Sequence, residues 1–103
     1  MKKLILAAVT ATLVLPALPA AAAGRVEKAC LRADRAGSPA LCNCIQQVAD
    51  MTLSRSDQKT AAGFFEDPEE AQTIRASKKA SDNEFWGRYR NFTSAAEAYC
   101  AAR

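Results

Sequence analysis

Four cysteines at positions 30, 42, 44 and 100, spaced C-x11-C-x-C-x55-C, constrain this chain more than any other feature. Their meaning depends on the compartment, and the first 23 residues indicate which one. Met1-Lys2-Lys3 is a short basic start, and Leu4 to Leu15 is an apolar run interrupted only by Thr10 and Thr12. Pro16 and Pro19 break the run before Ala20-Ala21-Ala22-Ala23. A basic start, an apolar stretch and a small-residue cut site are the parts of a secretory signal peptide. The stretch is also shorter than the roughly 20 apolar residues that a bilayer span requires. The expectation is therefore a signal peptide over 1–23 and a single exported domain over 24–103, periplasmic or secreted. Gly24 to Ala29 separate Ala23 from Cys30, so no cysteine sits at the cut to take a lipid, and no membrane insertion is expected after processing.

The signal also carries the apparent basicity. The whole chain has 14 Lys+Arg against 11 Asp+Glu; without Lys2 and Lys3 the remaining 80 residues hold 12 against 11, a net charge of +1. That balance leaves no overall electrostatic footprint for nucleic acid. Eighty residues make one thin core, and small exported domains of this kind are commonly stapled by disulfides.

Four cysteines allow three pairings. If residues 40 to 53 are helical, Cys42 and Cys44 point about 200° apart around the axis and cannot bond each other. One must then reach Cys30 and the other Cys100. Counting from a turn near Gly37 and Ser38, Cys30 lies about six residues, roughly 9 Å, down the first helix. Cys44 lies about five residues up the second and Cys42 about three, which favours Cys30–Cys44 with Cys42–Cys100. One turn of stagger, about 5.4 Å, reverses the preference.

The rest of the chain reads as helices. Residues 25 to 36 put Val26, Cys30 and Ala33 on one face, and Gly37-Ser38-Pro39 supplies a stop and a restart, with Ser38 as cap and Pro39 at the first helical position. Leu41, Ile45, Val48 and Thr52 then recur at helical spacing, with Cys44 and Met51 on one edge of the stripe and Cys42, Ala49 and Leu53 on the other. Ser54 to Asp57 opens a third helix carrying Ala61, Phe64 and Phe65; Asp67-Pro68 closes it and starts a fourth. Ser81-x-x-Glu84 forms a capping box for a last helix whose stripe is Phe85, Tyr89, Phe92, Ala96 and Tyr99, with Cys100 beside it. No stretch alternates with period two, so the expected fold is all-α: four or five short helices stapled by two disulfides.

Several chemistries can be weighed against duller accounts. Closely spaced thiols such as Cys42 and Cys44 can exchange disulfides or, with Met51, bind soft metal ions. Permanent disulfides are the stronger reading, since each thiol abuts an apolar stripe. The chain has no histidine, which removes the common zinc sites and the Ser-His and Cys-His pairs. Glu66-Asp67 with Glu69-Glu70 lacks the spacing of a calcium loop, and its members have capping roles. Neither metal, cofactor nor catalysis is expected. Asn91-Phe92-Thr93 matches a glycosylation sequon only formally, in the middle of a helix. In Phe85-Trp86-Gly87-Arg88-Tyr89-Arg90-Asn91-Phe92, rings alternate with arginines. Helical geometry lets Arg88 pair with Glu84 and Arg90 lie on Trp86, with the other rings in the core. A binding surface here would consist of Trp86, Arg88 and Arg90, with Trp86 the most exposed ring.

Leu41-Cys42-x-Cys44, Ser56-Asp57-Gln58, Phe64-Phe65-x-Asp67-Pro68-x-x-Ala71-Gln72, the Phe85 to Phe92 stretch and Ala98-Tyr99-Cys100 together resemble a group of small exported alphaproteobacterial proteins. The likeness spans residues 30 to 100, and the group often carries the label "arginine transporter". A permease is excluded by the lack of an expected span, and 80 residues are too few for a two-lobed solute-binding protein. The resemblance implies at most an accessory or small binding factor, and it assigns no functional residues. Two function classes follow: a non-catalytic interaction or structural module with an unidentified partner, and, as the alternative, a small binder of a cationic amino acid such as arginine, using Trp86 and acidic residues.

Overall fold

A computed structural model describes residues 24–33 and 37–101. The expected signal peptide and residues 34 to 36 of the expected first helix lie outside the described residues. The described chain is all-helical: α1 (Arg25–Arg32), α2 (Pro39–Thr52), α3 (Arg55–Glu66), α4 (Pro68–Arg75) and α5 (Ala80–Cys100).

Most helix starts obey local rules. The Ser38 hydroxyl accepts from the Leu41 amide at 3.1 Å with Pro39 in the first turn, and Ser54 does the same for Asp57 at 3.1 Å. Asp67 ends α3 and caps α4, accepting from the Glu69 amide at 3.1 Å. The start of α5 departs from expectation. Ser81 lies inside the helix, the N-cap is Lys79, and no side chain caps it. Ser77 organises the approach instead, accepting from the Lys79 amide at 3.1 Å and donating to Asp82 at 2.6 Å. Helix α1 has no cap of its own either, because Gly24 stands at its N-cap. Gln46 on α2 replaces it: its Oε1 accepts the Glu27 amide at 2.9 Å, as a serine or aspartate cap would. Gly24 lies so close to that amide that a Cβ there would collide with the Gln46 side chain.

The core joins all these elements except α4. Val26, Val48, Ala49, Leu53, Ala61, Phe92 and Cys100 form one buried cluster, against which Leu41, Cys44, Ile45, Phe65, Tyr89, Ala95 and Ala96 pack. Helix α4 buries no residue fully. Two expected stripe members point outward: Met51 is 72% exposed and Tyr99 67%. Helix α2 turns its Cys42, Ala49 and Leu53 edge inward, which carries Met51 to the outside. Tyr99 lies 100° round the helix from Cys100, which takes the inward position.

The disulfides are Cys30–Cys42 and Cys44–Cys100, with Cα separations of 5.6 and 5.8 Å. This corrects the favoured pairing of Cys30 with Cys44 and Cys42 with Cys100. Counting every residue up to Gly37 as helical rise overstates the height of Cys30, because α1 ends at Arg32 and Ala33 is extended. Cys30 is therefore only two residues, about 3 Å, from the end of its helix, and Cys42 is three from Pro39. Those heights match. The divergence of Cys42 and Cys44 holds: one faces α1 and the other α5, so α2 is fastened on both sides.

Candidate functional site: the α5 aromatic face and two grooves

All four sulfurs are in disulfides, which leaves no free thiol among the described residues for redox chemistry or a soft metal. Among those residues no group of three or more Cys, Asp or Glu side chains comes together to hold a metal ion.

The three residues marked as a binding surface on α5 do not act together. Arg88 leaves Glu84 and reaches across to α3, where Nε and an Nη donate to the two carboxylate oxygens of Asp57 at 2.6 and 3.1 Å. The expected i,i+4 pair gives way to Asp57, which is buried and both of whose oxygens the guanidinium fork satisfies at once. Hydrogen bonding to Asp57 holds the guanidinium above its ordinary value. Trp86 is half-buried and packs on Tyr89 with ring centroids 5.1 Å apart. Arg90 is exposed. Only the tryptophan edge and Arg90 remain for a partner.

Tyr89 is the hub of the aromatic cluster. Its ring meets Phe64 edge-on at 5.1 Å, stacks on Phe85 at 5.9 Å and tilts against Phe92 at 5.9 Å. Burial pushes its phenol above the ordinary value, because the phenolate would lose water. The folded chain then holds this proton more tightly than the unfolded chain. The resulting stability is fully present below about pH 10, the ordinary tyrosine value, and is lost as pH rises through the folded value. Thermal unfolding measured from pH 8 to 11 should show the melting temperature falling above pH 10. In Tyr89→Phe that fall should be shallower.

A buried polar network escaped the sequence reading. Gln46 and Gln58 are 6% and 9% exposed. Gln46 Nε2 donates to Gln58 Oε1 and to Asp50 Oδ1, both at 2.8 Å. Gln58 Nε2 in turn reaches the carbonyls of Ala49 and Leu53 at 3.3 Å and Asp50 Oδ1 at 3.2 Å. No buried side-chain polar atom among the described residues lacks a partner. These amides lock α1, α2 and α3 together, and a glutamine on a helix gives no sequence signal that separates this role from a surface one.

Two grooves flank this framework. The larger, about 1210 Å³, runs between α1, α2 and α3 over the Gln46–Gln58 floor and is lined mostly by polar and charged side chains. The smaller, about 670 Å³, is lined by Leu41 and Ile45 of α2, Phe64 and Phe65 of α3, Ala71 of α4 and Tyr89 of α5. Among the described residues, no helix is long and apolar enough to cross a membrane. The chain matches no protein-family model, no curated protein and no solved structure.

Proposed function

We propose that this chain is exported, loses residues 1–23 and serves outside the cytoplasm as a non-catalytic interaction module. The observation that carries this reading is the pair of disulfides, which fasten α2 to α1 and to α5. Such bonds persist in oxidising compartments and are rare in reducing ones. They agree with the basic, apolar and small-residue order of the first 23 residues. A scaffold held in this way presents surfaces of fixed shape, and its sulfurs take no part in chemistry.

The cationic amino acid alternative has weaker support. It needs carboxylates beside Trp86, but the Trp86 ring packs on Tyr89 and Asp67 of the acidic cluster serves as a helix cap, accepting from the Glu69 amide.

Expression of the full chain in a Gram-negative host, followed by fractionation and intact-mass measurement, tests the reading. The expected species is periplasmic, begins at Gly24 (or, after a cut at Ala22 or Ala20, at Ala23 or Ala21), and lacks the four hydrogens removed by two disulfides. A cytoplasmic species with Met1 and reactive thiols would overturn it. Calorimetric titration with arginine should give no saturable heat; a stoichiometric isotherm would move the assignment to the amino-acid binder.

A further inference from the structure

The larger groove has an electrostatic character that the net charge of +1 conceals. On α1, Arg25, Lys28 and Arg32 line it at i, i+3 and i+7, the spacing of one helix face. On α3, Arg55 and Lys59 line it at i and i+4. Among the described residues Arg32 alone of these five is in an ion pair, with Glu66 at 3.5 Å, and both partners are well exposed. An exposed pair of this kind contributes little and opens readily. The groove floor, by contrast, is internally satisfied: the Gln46 and Gln58 amides bond each other, Asp50 and the backbone. A ligand here would be held by the walls, with the floor fixing their separation.

We infer that this groove binds a short acidic segment of a partner protein, its carboxylates meeting the cations of α1 and α3. The inference rests on the reading of the chain as an interaction module and names the surface and the partner's chemistry. Charge complementarity selects an anion. The concave shape disfavours a membrane, since a flat anionic surface reaches the rim but not the interior. Length and spacing then favour a peptide. Arg25 to Arg32 spans about 10 Å, enough for three or four extended residues. Same-face side chains of an extended peptide repeat every 6.6–6.8 Å, and Arg55 and Lys59 are separated by a rise of about 6 Å. Glu27, Asp50 and Glu66 also line the groove and would repel a densely charged polyanion such as polyphosphate, whereas a peptide with spaced carboxylates can avoid them.

The test uses the purified, oxidised chain with hexaglutamate as probe, and with polyphosphate, a sulfated oligosaccharide and phosphatidylglycerol vesicles as competitors for the assignment. Hexaglutamate should bind saturably, with affinity falling several-fold as sodium chloride rises from 50 to 300 mM. Amide NMR signals of Lys28, Ser56 and Lys59 should shift while those of Lys78 and Lys79 stay in place. Lys28→Glu/Lys59→Glu should weaken binding at least tenfold. Lys78→Glu/Lys79→Glu, an equal charge change between α4 and α5, should alter it less than twofold. Should the first variant fail to fold, the localised NMR shifts and the salt dependence of the unmutated chain decide. Absence of hexaglutamate binding, equal losses in both variants, shifts outside the groove, or tighter binding to any of the three competitors would overturn the inference. None of those results would touch the export reading, which stands or falls on processing and oxidation.

Discussion

The Cys44→Ala/Cys100→Ala variant is expected to lose about 4 kcal/mol of unfolding free energy, and Cys30→Ala/Cys42→Ala about 3. The difference follows from the chain each bond closes: the sequence separation is 56 residues for Cys44–Cys100 and 12 for Cys30–Cys42. In the chain-entropy model the longer loop removes more freedom from the unfolded ensemble. Position adds to the effect. Cys100 is the last residue of α5, so the bond ties the far end of the longest helix to the first turns of α2. A domain of this size has a total stability of the order of 5–10 kcal/mol, so either loss is a large share of it. Urea unfolding followed by circular dichroism would measure both, and a larger loss from the Cys30–Cys42 pair would contradict loop length as the deciding quantity.

The helices were legible because their signals are local. Ser38-Pro39, Ser54 and Asp67-Pro68 each place a cap where the neighbouring backbone needs one, and no distant partner is required. Where the structure departs from expectation, the cause is a helix end or a contact between helices that no local pattern marks. Cys30 was matched to the wrong sulfur because the end of α1 at Arg32, set by an extended Ala33, leaves no mark in a sequence that continues Asp34-Arg35-Ala36. Arg88 was assigned to Glu84 by spacing, but a buried carboxylate 31 residues away competes better than an exposed one a single turn away. Ser81 matched the capping-box pattern and lost that role to a chain reversal organised by Ser77 and Asp82.

The candidate surfaces were harder to read for the same reason. Trp86, Arg88 and Arg90 share one stretch of sequence and therefore looked like one site, yet the fold directs them to Tyr89, to Asp57 and to solvent. The cations of the larger groove come from two stretches, 25–32 and 55–59, separated by the whole of α2. Gln46 and Gln58 are buried where a polar side chain is usually exposed, which only a complete set of partners makes tolerable.

Phe92→Ala should cost about 3–5 kcal/mol, the range for removing a buried ring from a packed core. Phe92 is 4% exposed and belongs to the single buried cluster that joins α1, α2, α3 and α5. Truncation removes its contact with Tyr89, the ring around which Phe64, Phe85 and Trp86 are arranged, and leaves a cavity that helices pinned by disulfides have little freedom to close. Trp86→Ala removes a larger side chain, but a half-buried one whose ring, among the described residues, meets the single aromatic ring of Tyr89. Water can fill the space it leaves at the edge of the stripe. The loss from Trp86→Ala should therefore be smaller than that from Phe92→Ala by more than about 1 kcal/mol. Chemical denaturation of the two variants, with both disulfides intact and m-values compared, measures the difference. Equal losses would place Trp86 in the core and remove the tryptophan edge from the surfaces open to a partner.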